Sequence, residues 1–158
     1  MSDGSVFYFA YGSNADPERF KSRVGEWRSR RPAWLAGHRL WFSDTVQSEG
    51  GGGAVFGPDE GSTLAGVLYE ITISQQEAMD RVEKDPSRNL KNAGGRIVII
   101  VDTPDGPVEA QVYNVHEIGG WSAPSATYVG HIVRGLEAAG HPAEVLEQVR
   151  AIAASGGR

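Results

Sequence analysis

The order of predicted elements points to one mixed α/β domain, α+β in arrangement, with about six strands and four helices. Short β-rich runs and helical stripes follow one another without the regular strand–helix–strand alternation of a doubly wound sheet. Two of the runs, residues 96–102 and 108–115, face each other across Thr103-Pro104-Asp105-Gly106-Pro107 as a hairpin. No internal repeat or linker divides the 158 residues, a length ordinary for a single domain. The domain is expected to span residues 1–158, with its core at about residues 5–153.

Each element has its own signal. Residues 5–11 are an apolar-aromatic run ended by Gly12-Ser13-Asn14, which predicts a buried strand and a turn. Asp16-Pro17-Glu18 then reads as a helix start: an Asp N-cap, proline at the first helical position and an acid in the first turn. Phe20 and Val24 share a face of that helix, and Gly25 ends it. Residues 38–43 predict a second strand. Residues 49–53 form a flexible glycine-rich lead into a short strand at 54–56, and Gly57-Pro58-Asp59-Glu60-Gly61 is a turn. Residues 63–71 form a longer strand. Ser74 and Glu77 have capping-box spacing, which starts a helix that ends near Glu83 or Lys84, before Pro86. The hairpin's two prolines, Pro104 and Pro107, predict a connection wider than two residues. A helix over 125–139 carries Tyr128, Ile132 and Leu136 on one stripe and closes at Gly140. The last helix runs from 142 to about 153, and residues 155–158 are expected to fray.

Composition narrows the function. Hydrophobic residues are 40% of the chain and charged residues 22%, both globular values. Cysteine is absent, which removes disulfides, thiolate metal sites and cysteine nucleophiles, and fits a reducing cytoplasm. Neither a signal peptide nor an apolar run of about 20 residues is present, so no membrane partner is expected. A net charge of -5 argues against nucleic acid as a partner. The local basic cluster of Lys21, Arg23, Arg28, Arg30 and Arg31 lacks interleaved aromatics and reads as a solvated face. The four histidines, His38, His116, His131 and His141, have no metal-ligand spacing and read as structural or exposed. Residues 50–53 lack the Lys-Ser/Thr of a phosphate loop, and no Gly-x-Ser-x-Gly elbow occurs. Trp27, Trp34, Trp41 and Trp121 are either core or pocket wall. No metal or other cofactor is expected.

The chemistry concentrates at residues 7–14. Small residues in a strand-to-helix turn let backbone N–H groups approach an anion such as a carboxylate. On local physics alone the same turn reads first as a plain strand-to-helix connection, with Asn14 as a local cap. Val6-Phe7-Tyr8-Phe9-Ala10-Tyr11-Gly12-Ser13-Asn14, followed by Pro17-Glu18-Arg19-Phe20, resembles the signature of the γ-glutamylcyclotransferase family. Ala36-Gly37-His38-Arg39-Leu40-Trp41-Phe42, Gly66-Val67-Leu68-Tyr69-Glu70, Met79-Asp80-Arg81-Val82-Glu83, Pro124-Ser125 with Tyr128, and Ala139-Gly140-His141-Pro142 resemble its later landmarks in order.

That resemblance implies a small, six-stranded, barrel-like mixed sheet with flanking helices. It also implies a cofactor-free reaction in which a γ-glutamyl α-amine attacks its own γ-carbonyl, releasing 5-oxoproline and an amine or amino acid. Nucleophile and electrophile share one molecule, so a ring-forming shape alone supplies an effective molarity of about 10⁵ M or more. One carboxyl, with its pKa tuned to roughly 6 to 7, can take the ammonium proton and return it to the leaving nitrogen. The resemblance gives that role to Glu83. A helix C-terminus and the apolar neighbours Met79 and Val82 would raise its pKa, while Arg81, Lys84 and Arg88 would oppose this if turned inward. Tyr11, Gly12, Ser13 and Asn14 would hold the glutamyl head through backbone N–H groups and the Ser13 hydroxyl. Tyr8 would flank the head, and Tyr128 would offer a phenol.

One departure stands out. Family members usually carry glycine directly after the acid and a tyrosine several residues on; here Lys84 follows Glu83, and residues 85–95 contain no aromatic. Altered amine specificity is the expectation, with loss of activity the alternative. Removal of a γ-glutamyl protecting group from a specialised metabolite, and a binding module without turnover, stay open, as does a homodimer.

Overall fold

The computed structural model describes residues 4–83, 96–113 and 118–158. The expectations for Lys84, Arg88, residues 85–95, His116 and the end of the last strand at 114–115 lie outside the described residues. Five strands form a closed barrel: β1 (Ser5–Ala10), β2 (Ser29–Ser48), β3 (Gly51–Thr72), β4 (Arg96–Thr103) and β5 (Gly106–Tyr113), in the order β1-β3-β2-β4-β5. All neighbours are antiparallel except β5 and β1, which close the barrel in parallel at Tyr8 and Gln111. Four helices flank it: α1 (Pro17–Val24), α2 (Ile73–Glu83), α3 (Ala126–Ala139) and α4 (Ala143–Ala154).

The expected six strands are five among the described residues, because two of the predicted runs belong to one strand. Residues 54–56 and 63–71 are both part of β3, and the predicted turn between them is a bulge within it. Partnering steps from His38↔Pro58 to Ala36↔Thr63, so residues 59–62 stand opposite Gly37 alone. Glycines at left-handed φ, Gly37 at 73° and Gly61 at 88°, absorb the bend. β2 is also longer than expected and takes in Arg30 and Arg31. The glycine-rich lead is strand, not loop. A Cβ on Gly52 would lie 2.1 Å from the Ser122 carbonyl oxygen, so small residues let the 122–125 segment lie directly on β3.

The hairpin is tighter than its prolines suggest. Thr103 pairs with Gly106 across only Pro104 and Asp105. Gly106, at φ 113°, takes up the twist, and the Thr103 hydroxyl accepts from the Asp105 N–H at 3.1 Å. The cap of α2 is displaced from Ser74 and Glu77. Thr72 Oγ1 accepts from the Gln75 N–H and Gln75 Oε1 accepts from the Thr72 N–H, both at 3.0 Å, a reciprocal capping box two residues earlier. The other caps are as expected: Asp16 accepts from the Glu18 N–H, Ser125 from the Tyr128 N–H, and Gly140 closes α3 at φ 101°. The C-terminal tail does not fray away; Gly157 lies against the Trp121 ring.

The core fills the barrel and the seam beneath the helices. Tyr69, Phe9, Phe20, Phe42, Leu68 and Ile71 are among its largest fully buried side chains. Tyr128, Ile132 and Leu136, the predicted stripe of α3, are all buried. α1 packs on the barrel through Phe20, whose ring stacks on Tyr69 at 4.0 Å. No described helix is long and apolar enough to cross a membrane.

Candidate active site

β1 ends at Ala10, and the chain turns through Tyr11 and Gly12 into a single 3-10 turn, Ser13–Ala15, before α1. The turn is closed by Ala15 N–H to the Gly12 carbonyl at 3.0 Å and Asp16 N–H to the Ser13 carbonyl at 3.1 Å. Among the described residues nothing accepts from the N–H of Ser13 or Asn14, so two amide donors at the start of this turn are available to a ligand. All four residues from Tyr11 to Asn14 are buried or half-buried.

Asn14 links this turn to α2. Its Nδ2 donates to Glu83 Oε1 at 3.2 Å and to the Tyr8 hydroxyl at 3.0 Å, and lies 3.4 Å from Met79 Sδ. Its Oδ1 accepts from Arg23 Nη1 at 2.7 Å, which fixes which way the carboxamide faces. Glu83 ends α2, half-buried, with Met79 fully buried one turn earlier. The structure therefore brings Glu83, Tyr8 and Asn14 into one hydrogen-bonded group, although 69 residues separate Asn14 from Glu83 in sequence.

Tyr128 reaches the turn from α3. Its hydroxyl accepts from the Ala54 N–H at 2.9 Å and stands over Gly12, where a Cβ would lie 3.3 Å from it. Tyr11 differs from the other candidates. Its hydroxyl donates to the Tyr113 carbonyl at 2.8 Å and its ring packs edge-on against Phe56, so its side chain braces the barrel and only its backbone belongs to the turn. The Ser13 hydroxyl has Arg19 Nη1 at 3.5 Å, and Arg19 also pairs with Glu49.

The electrostatics keep the Tyr8 and Tyr11 phenols protonated. Burial, and next the Glu83 carboxylate, push Tyr8 well above the usual tyrosine value. Burial likewise raises Tyr11, with Tyr128 and Glu83 adding to it. Behind the turn, Asp16 is drawn below the usual carboxylate value. Burial works the other way, but hydrogen bonds from His131 and the Glu18 amide outweigh it. Among the described residues no group of three or more His, Cys, Asp or Glu could hold a metal ion.

Sequence reasoning missed Arg23, Arg30 and the Ala54 amide. Arg19 and Arg23 sit four apart on α1, one turn above the other, and this spacing would have put both on one face of the helix, though not which way that face points. The basic cluster is thus not one solvated face: Lys21 and Arg31 make outer ion pairs, while Arg23 and Arg30 reach inward to Asn14 and Ala15. The Ala54 amide, offered by a residue read only as part of a short strand, carries no residue-type signal. A cavity of about 470 Å³ between α4 and the bulged part of the β2–β3 pair, lined by Leu40, Leu64, Leu136 and Val149, touches Tyr11 but none of Ser13, Asn14, Glu83 or Tyr128.

The model of the family "Gamma-glutamyl cyclotransferase, AIG2-like" matches residues 8–129. Among solved structures, one titled a gamma-glutamyl cyclotransferase is 27% identical with a TM-score of 0.80, covering 94% of this chain and 88% of that one. A human protein, described as uncharacterized protein loc79017, is 28% identical at TM-score 0.80, again covering 94% and 88%. A yeast gamma-glutamyl cyclotransferase specific to glutathione shares the fold at 14% identity and TM-score 0.61, over 97% of this chain and 99% of that one. No curated protein sequence matches the chain. With the match to the family model covering most of the chain, this protein belongs to the gamma-glutamyl cyclotransferase, AIG2-like, family.

Proposed function

We propose that this chain is a γ-glutamyl cyclotransferase that releases 5-oxoproline and an amine or amino acid from a small γ-glutamyl compound, with no cofactor. The observation that carries this reading is the hydrogen bond from Asn14 to Glu83, which sets a carboxylate beside a turn with two unpartnered amides. The Ser13 and Asn14 amides hold the carboxylate of the glutamyl head. Glu83 takes a proton from the substrate's α-ammonium, and the freed amine attacks the γ-carbonyl carbon. As the tetrahedral intermediate collapses, the C–N bond to the leaving amine breaks and Glu83 returns the proton to that nitrogen. The second proton of the ring nitrogen then passes through Glu83 to the departing amine, which leaves as an ammonium beside the neutral lactam. The Tyr128 hydroxyl, already fixed over Gly12, orients the substrate. Because cyclisation needs only a folded-back substrate and one proton carrier, a site this small is chemically sufficient.

The test is incubation of purified protein with a panel of γ-glutamyl amino acids and γ-glutamyl amines, with 5-oxoproline as the readout. Glu83→Gln is expected to keep substrate binding and lose about 10² to 10⁴-fold in turnover; near-normal turnover would remove Glu83 from the mechanism. Release of glutamate would make water the nucleophile and the protein a hydrolase. Ligand-dependent stabilisation with neither product would make it a binding module.

A further inference from the structure

The turn that supplies the two free amides is held from behind by a residue of the supposed surface cluster. Arg30 lies on β2 directly across from Tyr69 on β3, with both side chains on the barrel face that α1 and α3 cover. Its Nη2 donates to the Ala15 carbonyl at 2.5 Å and to the Gly135 carbonyl at 2.9 Å. Its Nε donates to the Tyr69 hydroxyl at 3.3 Å, and that hydroxyl donates in turn to the Asn14 carbonyl at 2.8 Å, with Ala15 O at 3.2 Å. The guanidinium also stands over the Tyr69 and Trp27 rings, 5.4 and 5.8 Å from their centroids. No carboxylate among the described residues pairs with it.

Two elements with no covalent connection nearby therefore meet on one planar fork. The Ser13–Ala15 turn presents the amides, and α3 presents the Tyr128 hydroxyl. They cross at Gly135, where a Cβ would lie 2.1 Å from the Ala15 carbonyl carbon and 2.5 Å from the Asp16 nitrogen. That contact is backbone on backbone, and Arg30 joins its two sides. Both outward carbonyls of the turn, at Asn14 and Ala15, are thereby tied down by Tyr69 and Arg30. Those two carbonyls share peptide planes with the Ala15 and Asp16 N–H groups, which donate to the Gly12 and Ser13 carbonyls. The planes that carry the Ser13 and Asn14 N–H groups are thus held through the turn and need not reorganise when a ligand arrives.

We infer that Arg30 is a positioning residue for the proposed γ-glutamyl site: by bridging the Ala15 and Gly135 carbonyls, and with Tyr69 on the Asn14 carbonyl, it fixes the amides of the turn relative to Tyr128. It touches neither substrate nor Glu83. A lysine keeps the charge but not the fork that reaches two carbonyls and a hydroxyl together.

This inference rests on the cyclotransferase reading, and the experiment separates the two. In the 5-oxoproline assay, Arg30→Met is expected to raise KM about tenfold, the factor for a lost charge-assisted hydrogen bond, with kcat within about threefold. Arg30→Lys should restore less than half of that loss on a logarithmic scale. A residue that only stabilised the fold would lower Tm and the active fraction while leaving KM at the wild-type value, and that result, or full rescue by lysine, overturns the inference. Should Arg30→Met fail to fold, Tyr69→Phe removes one hydroxyl from the same network and should raise KM by about threefold; an unchanged KM is again contrary. If the wild type makes no 5-oxoproline, the functional reading fails while the positioning role is still decided by amide exchange. The Ala15 and Asp16 amides should then exchange about tenfold faster in Arg30→Met, with the β3 amides unchanged; equal protection in both proteins refutes it.

Discussion

Asn14 is the residue on which the site turns, because its carboxamide both donates to a carboxylate and accepts from a guanidinium. Alanine at this position removes one donor from Glu83 and one acceptor from Arg23, so Asn14→Ala is expected to lower kcat/KM for γ-glutamyl substrates by about tenfold or more. Wild-type kinetics in that variant would detach Asn14 from the site. A second residue sets an acid limit on stability. His141 is buried, with Nε2 2.7 Å from the Gly66 carbonyl and Nδ1 without a hydrogen-bond partner among the described residues, and burial lowers its pKa below the usual value. With the folded value depressed, the unfolded chain takes up the proton first. The stability contributed is complete above about pH 6.5 and is lost as the pH falls through the folded value. Tm measured from pH 7.5 to 5 should therefore fall less steeply in His141→Gln than in wild type; parallel profiles would mean that His141 does not titrate in this window. Asp16 contributes separately and lower, because its depressed value moves the loss below the usual carboxylate range.

At the scale of elements, helix ends were more legible than strand ends. Asp16-Pro17, Ser125 and Gly140 mark α1 and α3 because a cap is a local contract between a side chain and an amide two or three residues away. The start of α2 shows the limit of that rule, since two overlapping four-residue frames each had a hydroxyl and an amide or acid three apart. The hydrogen bonds select Thr72 and Gln75 over Ser74 and Glu77. Thr72→Ala should accordingly cost about 1 kcal/mol in chemical denaturation and Ser74→Ala less than about half of that; the reverse order would restore the later frame. Strand continuity was less legible. β3 passes through Gly57-Pro58-Asp59-Glu60-Gly61, every residue of which favours a turn, because its pairing with β2 resumes on both sides of the bulge. Pairing across strands is a property of the partner, which no local window contains.

For the whole molecule, the barrel is closed unevenly. β2 and β3 pair over most of their length, whereas among the described residues β4 pairs with β2 at Trp34 and Asp102 alone and β5 with β1 at Tyr8 and Gln111 alone. The β4–β5 hairpin is thus attached to the rest by its two outer seams, and β4 carries the exposed Ile97, Val98 and Ile100. Native-state hydrogen exchange should find its amides opening at a lower free energy than those of Val67 to Ile71 in β3; equal protection would make the barrel one cooperative unit.

The chain by itself determined the mixed fold, the four helices and the turn after β1, and through its likeness to a known family it singled out the acid at position 83 as a candidate. Those depend on local capping, periodicity and a contiguous motif. The tertiary structure alone decided that Glu83 meets Asn14, that Tyr11 faces the barrel rather than the turn, and that Arg30 belongs behind the site instead of on the surface. Each of these is a contact between elements distant in sequence, and a contact of that kind is fixed by how strands register and helices cross.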